Sequence, residues 1–182
     1  MVDPAQLLRR RENASLRGYW PYVDGDHNDP AAAARYSELM ADSQHLIANH
    51  ILDSISLTRT SRLLDVGGGT GTFARLAADR FPHSETAVFD LPQVIASIPP
   101  KHSQRLRAYS GDMFNDALPE GFNAISLVRI LHDHDDLPVE RLLARCFDAL
   151  PSGGQIIIAE PMAGTRGAES IGHTYFGFYL WA

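Results

Sequence analysis

From residue 61 onward, short apolar runs alternate with longer stretches whose apolar residues recur every three or four positions. "SRLLDV" (61–66) is brief, apolar and followed by glycine, which predicts a buried strand. "TGTFARLAADRF" (70–81) carries Phe73, Leu76 and Ala77 at helical spacing. "ETAVFD" (85–90) predicts a second strand, "LPQVIASI" (91–98) a short helix and "QRLRAYSGD" (104–112) a third strand. "FNAISLVRIL" (122–131) predicts a fourth strand, and "LPVERLLARCFDAL" (137–150) a helix with Leu142, Leu143, Cys146 and Phe147 inward. "PSGG" is a tight turn, and "QIIIAEP" (155–161) is a fifth strand. Its Ile156-Ile157-Ile158 run suits a strand covered on both faces.

Upstream, "NDPAAAARYSELMADSQHLIANHILDSI" (28–55) predicts a helix. Asp29 is placed to cap it and Pro30 suits its first turn. Tyr36, Leu39, Met40, Ser43, Ile47, His50 and Ile51 fall on one face. Residues 1–28 are polar, broken by Gly18, Pro21 and Gly25, and read as an irregular, partly helical arm. The final stretch, 168–182, begins another helix. Strands alternating with helices imply parallel pairing. The expected fold is α/β, a doubly wound, mostly parallel Rossmann-like sheet over residues 29–182, with ligands at the carboxyl ends of its strands.

The chain's 182 residues suffice for one sizeable core. The net charge of −6 argues against a polyanionic partner, so no nucleic acid is expected. The basic run Arg9-Arg10-Arg11 suits a solvated helix face. Cys146 is the lone cysteine, so no internal disulfide can form. No apolar run approaches the ~18 residues of a membrane span.

The chemistry begins at "LLDVGGGTGTF". Gly67, Gly69 and Gly71 stand in a G-x-G-x-G turn between the first strand and its helix. Glycine there permits positive φ and lets a ligand approach the backbone. Amides at a helix start favour an electron-rich group. A dinucleotide turn has a third glycine where this chain has Thr72. Nor does any basic residue lie within the turn to meet a pyrophosphate. Asp90 ends the second strand about 20 residues on, where a carboxylate can take ribose hydroxyls. Asp112 of "GDMF" can accept from an adenine amine while Met113 covers the ring. Asp65 would repel a pyrophosphate and attract an ammonium group. This polarity suggests a nucleoside carrying an amino acid, S-adenosylmethionine. Strand-end capping by Asp65 or Asp90, and an ordinary turn role for Asp112, are the alternatives.

"LLDVGGGTGTFARLAADRFP", "AVFDLPQVI", "GDMF", "LPSGGQIIIAEP" and the His-Asp of "RILHDHDD" together resemble the class I S-adenosylmethionine-dependent O-methyltransferases of the caffeate and acetylserotonin type. "LVRILHDHDD" and "YFGFYL" are similar to its bacterial carotenoid branch, the demethylspheroidene and hydroxyneurosporene O-methyltransferases. The resemblance covers roughly residues 30–182. It implies S-adenosylmethionine as cofactor, held by Asp65, Gly67, Gly69, Gly71, Asp90, Leu91, Asp112 and Met113. It implies His132 as general base and Glu160 as the acid that orients it. An imidazole suits that task near neutral pH. Helix capping by His132, or a bond to Asp133, is the alternative. Val128 stands where plant members carry lysine, and His134 replaces their tryptophan. Some carotenoid members carry tyrosine in place of His132.

The resemblance further implies a seven-stranded sheet ending in a hairpin, an N-terminal dimerisation domain and homodimeric relatives. The present chain is therefore expected to be C-terminally incomplete. Its acceptor would be a hydrophobic alcohol or phenol, carotenoid-like, lined by Tyr36, Met40, Tyr175, Phe176 and Tyr179. The setting would be cytoplasmic, at a membrane surface if the acceptor is a carotenoid. Three alternatives stay open: a non-catalytic binding relative, a nicotinamide-dependent oxidoreductase, and a metal held by "HDHDD". No metal is expected, since the resembling branch is metal-independent.

Overall fold

The structure, a computed structural model, describes residues 44–45, 47–58, 61–99, 106–162 and 164–169. The expected arm over 1–28, the start of the helix capped by Asp29 and residues 170–182 of the last expected helix lie outside these residues. Ser37–Glu160 forms one unit. The described residues beyond Glu160 belong to another, where Thr165 Oγ1 donates to the Met162 carbonyl and Ala168 N to Thr165.

The five expected strands are present: β1 Arg62–Val66, β2 Glu85–Asp90, β3 Arg107–Ser110, β4 Ala124–Val128 and β5 Gln155–Ala159. All pair in parallel, in the order β3-β2-β1-β4-β5. Helices α1 Thr72–Arg80, α2 Pro92–Ala96 and α3 Asp136–Ala149 follow β1, β2 and β4, the last after a 3₁₀ turn at Leu131–Asp133. Pro92 opens α2, where a missing N–H costs nothing. Gly153, at φ +80°, makes the tight turn into β5. This is the doubly wound arrangement that the alternating pattern implied.

Side chains alternate across the central strands. Leu64, Val66, Ala87, Phe89, Ile125 and Leu127 join Leu142 and Cys146 of α3 on one face. Leu63, Ala124, Val128 and Ile157 join Phe73 and Ala77 of α1 on the other, with Ala48 and Leu52 from the helical residues 47–54. The inward stripe of that helix thus runs through Ala48 and Leu52, and the expected His50 is exposed.

Two more expectations need correction. Phe147 is 73% exposed. It follows Cys146 directly, so it lies about 100° around α3 from the buried Cys146. Ile158 is 46% exposed, since among the described residues β5 is an edge of the sheet and its apolar run is not covered on both faces. Phe147→Ser is accordingly expected to change unfolding free energy by no more than about 0.5 kcal/mol. A urea titration checks this, and a loss near ~2 kcal/mol would mean the ring is covered.

Parallel pairing puts every strand's carboxyl end on one edge. Asp65 and the glycine turn, Asp90, Asp112, His132 and Glu160 all follow or close strands on that edge.

Candidate functional site

The glycine turn is shaped first by the protein's own packing. Asp65 lies between Val88 of β2 and Ser126 of β4 in the strand register. Its Oδ1 accepts from Ser126 Oγ at 2.6 Å, and its Oδ2 is buried without a hydrogen-bond partner. Gly68 crosses directly over this carboxyl. A Cβ there would stand 2.3 Å from Asp65 Oδ2 and 2.8 Å from Val88 Cγ2. At Gly67 a Cβ would meet Ile130, and at Gly71 Leu106. Among the described residues, a Cβ at Gly69 alone of the four would have nothing within 4 Å, and its φ is +60°. Open access for a ligand is therefore at Gly69, while its neighbours lack side chains for internal reasons.

Asp90 ties this open point to β2. Its Oδ2 accepts from Gly69 N and its Oδ1 from Leu91 N, both at 2.7 Å. Burial raises Asp90 to about 6 against the lowering pull of those two amides. Burial raises Asp65 further, to about 7, against the lowering bond from Ser126 and with a raising contribution from Asp90. Two carboxyls that resist ionisation thus sit beneath one turn.

Asp112 closes its own turn. Its Oδ1 accepts from Phe114 N and its Oδ2 from Asn115 Nδ2, while its own amide donates to Asp116 Oδ2. Each oxygen keeps capacity for a further donor. Met113 Sδ lies 3.6 Å from where a Gly67 Cβ would be, so the thioether stands beside the turn. The structure also brings a cation to the turn that the segment 67–71 itself lacks. Arg75 reaches back to donate to the Thr70 carbonyl at 2.6 Å and to Thr72 Oγ1 at 3.2 Å.

The second cluster lies at the ends of β4 and β5. Arg129 N donates to Ala159, and Arg129 itself adopts φ +60°. That conformation is uncommon for a residue with a side chain and recurs at functional sites. After it, the amides of Ile130 and Leu131 both donate to Glu160 Oε1 at 2.7 Å. Glu160 Oε2 meets His132 Nδ1 at 2.6 Å. Burial works to raise Glu160, but the bonds from His132, Leu131 and Ile130 outweigh it and hold the acid below its ordinary range. A carboxylate so fixed accepts from Nδ1–H, which leaves Nε2 of a neutral ring able to take a proton. Asp133 Oδ1 stands 3.2 Å from Nε2. The expected base and acid are thus in contact, and so are His132 and Asp133.

His134 packs edge-on to Phe114 with ring centroids 4.7 Å apart, and burial lowers it. Burial pushes the Cys146 thiol up to about 11, which leaves it a packing group. Among the described residues no set of three His, Cys, Asp or Glu side chains could hold a metal ion. None of their helices is long and apolar enough to cross a membrane. The expected acceptor residues Tyr36, Met40, Tyr175, Phe176 and Tyr179 lie outside the described residues. Sequence reasoning missed Gly68 as a contact glycine, Ser126 as the donor to Asp65, and Arg75.

Comparison with known proteins agrees with this frame. The O-methyltransferase domain family matches residues 16–182. Demethylspheroidene O-methyltransferase of Rhodobacter capsulatus is 42% identical over 184 residues, covering 100% of this chain and 47% of the relative. The enzyme of that name from Cereibacter sphaeroides is 40% identical, covering 98% and 49%. Human N-acetylserotonin methyltransferase, solved in complex with S-adenosylmethionine, superposes with a TM-score of 0.81 at 21% identity, over 98% of this chain and 53% of that one. At that identity the likeness speaks for the fold. The chain spans about half the length of the curated relatives it matches. With the domain matched from residue 16 to the last residue, and two relatives at 40% identity or above, the chain belongs to the O-methyltransferase family.

Proposed function

We propose that this chain forms the cofactor-binding and proton-accepting part of an S-adenosylmethionine-dependent O-methyltransferase that acts on a hydroxyl of a hydrophobic small molecule. One observation carries the reading. The Gly69–Asp90 bond and the Glu160–His132 pair lie at carboxyl ends of strands in one parallel sheet. The residues fit the cofactor. Gly69 is open, the Asp90 carboxyl beside it suits ribose hydroxyls, and Met113 flanks the turn. Asp112 keeps acceptor capacity for an adenine amine, Leu91 lines the Asp90 corner, and Gly67 and Gly71 shape the turn. Asp65 places a buried carboxyl beneath it.

Bound there, S-adenosylmethionine would supply a methyl already activated on a sulfonium. The chain's task is then to align an acceptor hydroxyl and take its proton. Alignment can supply about 7–11 kcal/mol in favourable cases. His132 Nε2 takes the proton, with Glu160 fixing the ring. The imidazolium so formed has a carboxylate at each nitrogen, Glu160 at 2.6 Å and Asp133 at 3.2 Å. The acceptor class follows the two bacterial relatives, which are named for a carotenoid substrate.

Calorimetry with S-adenosylhomocysteine and with NAD tests the cofactor. The first is expected to bind and the second not. NAD binding with no response to S-adenosylhomocysteine would overturn the proposal in favour of a nicotinamide enzyme.

A further inference from the structure

Among the described residues, Arg129 is the one non-glycine residue with positive φ, at +60°. It directly follows β4, and its own amide still donates to the Ala159 carbonyl of β5 at 2.9 Å. The ladder therefore runs one residue past Val128 before the chain turns away. Along an extended strand successive amides point to opposite sides, so those of Ile130 and Leu131 could not share an acceptor. Here both donate to Glu160 Oε1 at 2.7 Å. The left-handed Arg129, followed by Ile130 at φ −114° and ψ −48°, makes them converge. Such a pair of conformations forms a concavity of amides that holds an anion. The anion here is the Glu160 carboxylate, whose side chain is 4% exposed. Burial, His132 and the two amides set how readily Glu160 ionises, and the Arg129 guanidinium is not among these influences.

The proton on His132 depends on this arrangement. Two carboxylates face the ring, Glu160 Oε2 at Nδ1, 2.6 Å away, and Asp133 Oδ1 at Nε2, 3.2 Å away. A neutral imidazole has one N–H to donate. Held ionised by its bonds, Glu160 can only accept, so Nδ1 carries the proton and Nε2 stays basic. Were Glu160 released from the amides, Asp133 would take the proton on Nε2, and the ring would lose its basic atom on that side.

We propose that Arg129 is a positioning residue: its backbone, and not its guanidinium, turns two amides onto Glu160 and so decides which nitrogen of His132 carries the proton. The consequence for methyl transfer rests on the reading of His132 as base, whereas the choice of tautomer does not. Position 129 then needs a residue that tolerates the left-handed region, whatever its charge. Glycine does so with no Cβ to clash, and asparagine does so more readily than most residues. Valine is β-branched and does not. A role for the guanidinium would reverse this order, because neither glycine nor asparagine supplies a cation.

Heteronuclear NMR of the histidine ring nitrogens reads the tautomer without any turnover, with the His132 signals assigned by their loss in His132→Gln. At a pH where the ring is neutral, the parent is expected to hold its proton on Nδ1. Arg129→Gly and Arg129→Asn should keep the ratio of Nδ1–H to Nε2–H forms within about threefold, and Arg129→Val should lower it by at least about tenfold. The kcat for methyl transfer should follow the same order. Thermal melting of each variant reports folding, and if the valine variant unfolds, the glycine and asparagine variants decide alone. Loss of the Nδ1–H form in folded Arg129→Gly and Arg129→Asn overturns the proposal and gives the role to the guanidinium. The parent's ratio in folded Arg129→Val overturns it as well. A switched tautomer with undiminished kcat supports the positioning role and overturns His132 as base instead.

Discussion

Glu160→Gln is expected to lower kcat for methyl transfer by about 10²–10⁴-fold while leaving S-adenosylhomocysteine affinity within about threefold. The argument is one of hydrogen placement. Glu160 Oε1 accepts from two backbone amides, and a glutamine carbonyl can keep both. Its amide nitrogen must then face His132 Nδ1, where Oε2 now stands at 2.6 Å. An NH₂ donates, so Nδ1 becomes the acceptor and the ring proton moves to Nε2. A neutral ring with its proton on Nε2 cannot take another from the acceptor hydroxyl at that atom. Acid-to-amide changes beside a catalytic imidazole act through this change of tautomer. Glu160→Ala removes the same base and also strands two amides, so it should additionally cost about 2–4 kcal/mol of stability. Steady-state kinetics with a hydroxylated carotenoid or phenol acceptor, beside calorimetry, separates the two effects. A kcat within about threefold of the parent in folded Glu160→Gln would remove His132 from the role of base.

The sheet was legible because its signals are local. Each strand is a short apolar run bounded by turn residues, and each helix keeps one apolar stripe, so the succession of elements along the chain and their parallel pairing followed. The placement of Asp65, Asp90, Asp112, His132 and Glu160 at strand ends was legible for the same reason, since a parallel sheet gathers its carboxyl ends on one edge. What stayed hidden depends on register across strands. Ser126 looks like any small residue in "AISLV" until β1 and β4 pair and set it beside Asp65. Gly68 looks like filler between two motif glycines until it crosses Asp65 and Val88. Arg129 gives no hint in sequence of its φ of +60°, because that conformation belongs to the path the chain takes from β4 to the two amides that meet Glu160. The exposed Phe147 and Ile158 misled for a related reason. Apolar character alone does not tell which face of a helix or which edge of a sheet is covered.

The packing of the turn yields a paired prediction. Gly68→Ala is expected to destabilise the fold by about 2–5 kcal/mol and to abolish measurable binding of S-adenosylhomocysteine, because both overpacking and loss of a buried hydrogen bond contribute. Gly68 is not among the residues at positive φ, so alanine meets no conformational bar there. The cost is contact alone. Its Cβ would lie 2.3 Å from Asp65 Oδ2, and that carboxyl cannot swing aside without releasing Ser126 or pushing into Val88. Gly69→Ala should behave in the opposite way. Its Cβ has no atom of the other described residues within 4 Å, so the left-handed backbone carries the penalty, about 1–2 kcal/mol. That methyl would instead project into the space where a ligand approaches, so affinity should fall by at least about tenfold in a folded protein, the equivalent of ~1.4 kcal/mol. Urea titration and calorimetry on the two variants distinguish a turn held from below from a turn read from above. If Gly69→Ala binds S-adenosylhomocysteine as the parent does, the open face of the turn is not where that ligand sits, and the geometry around Asp90 must serve another purpose.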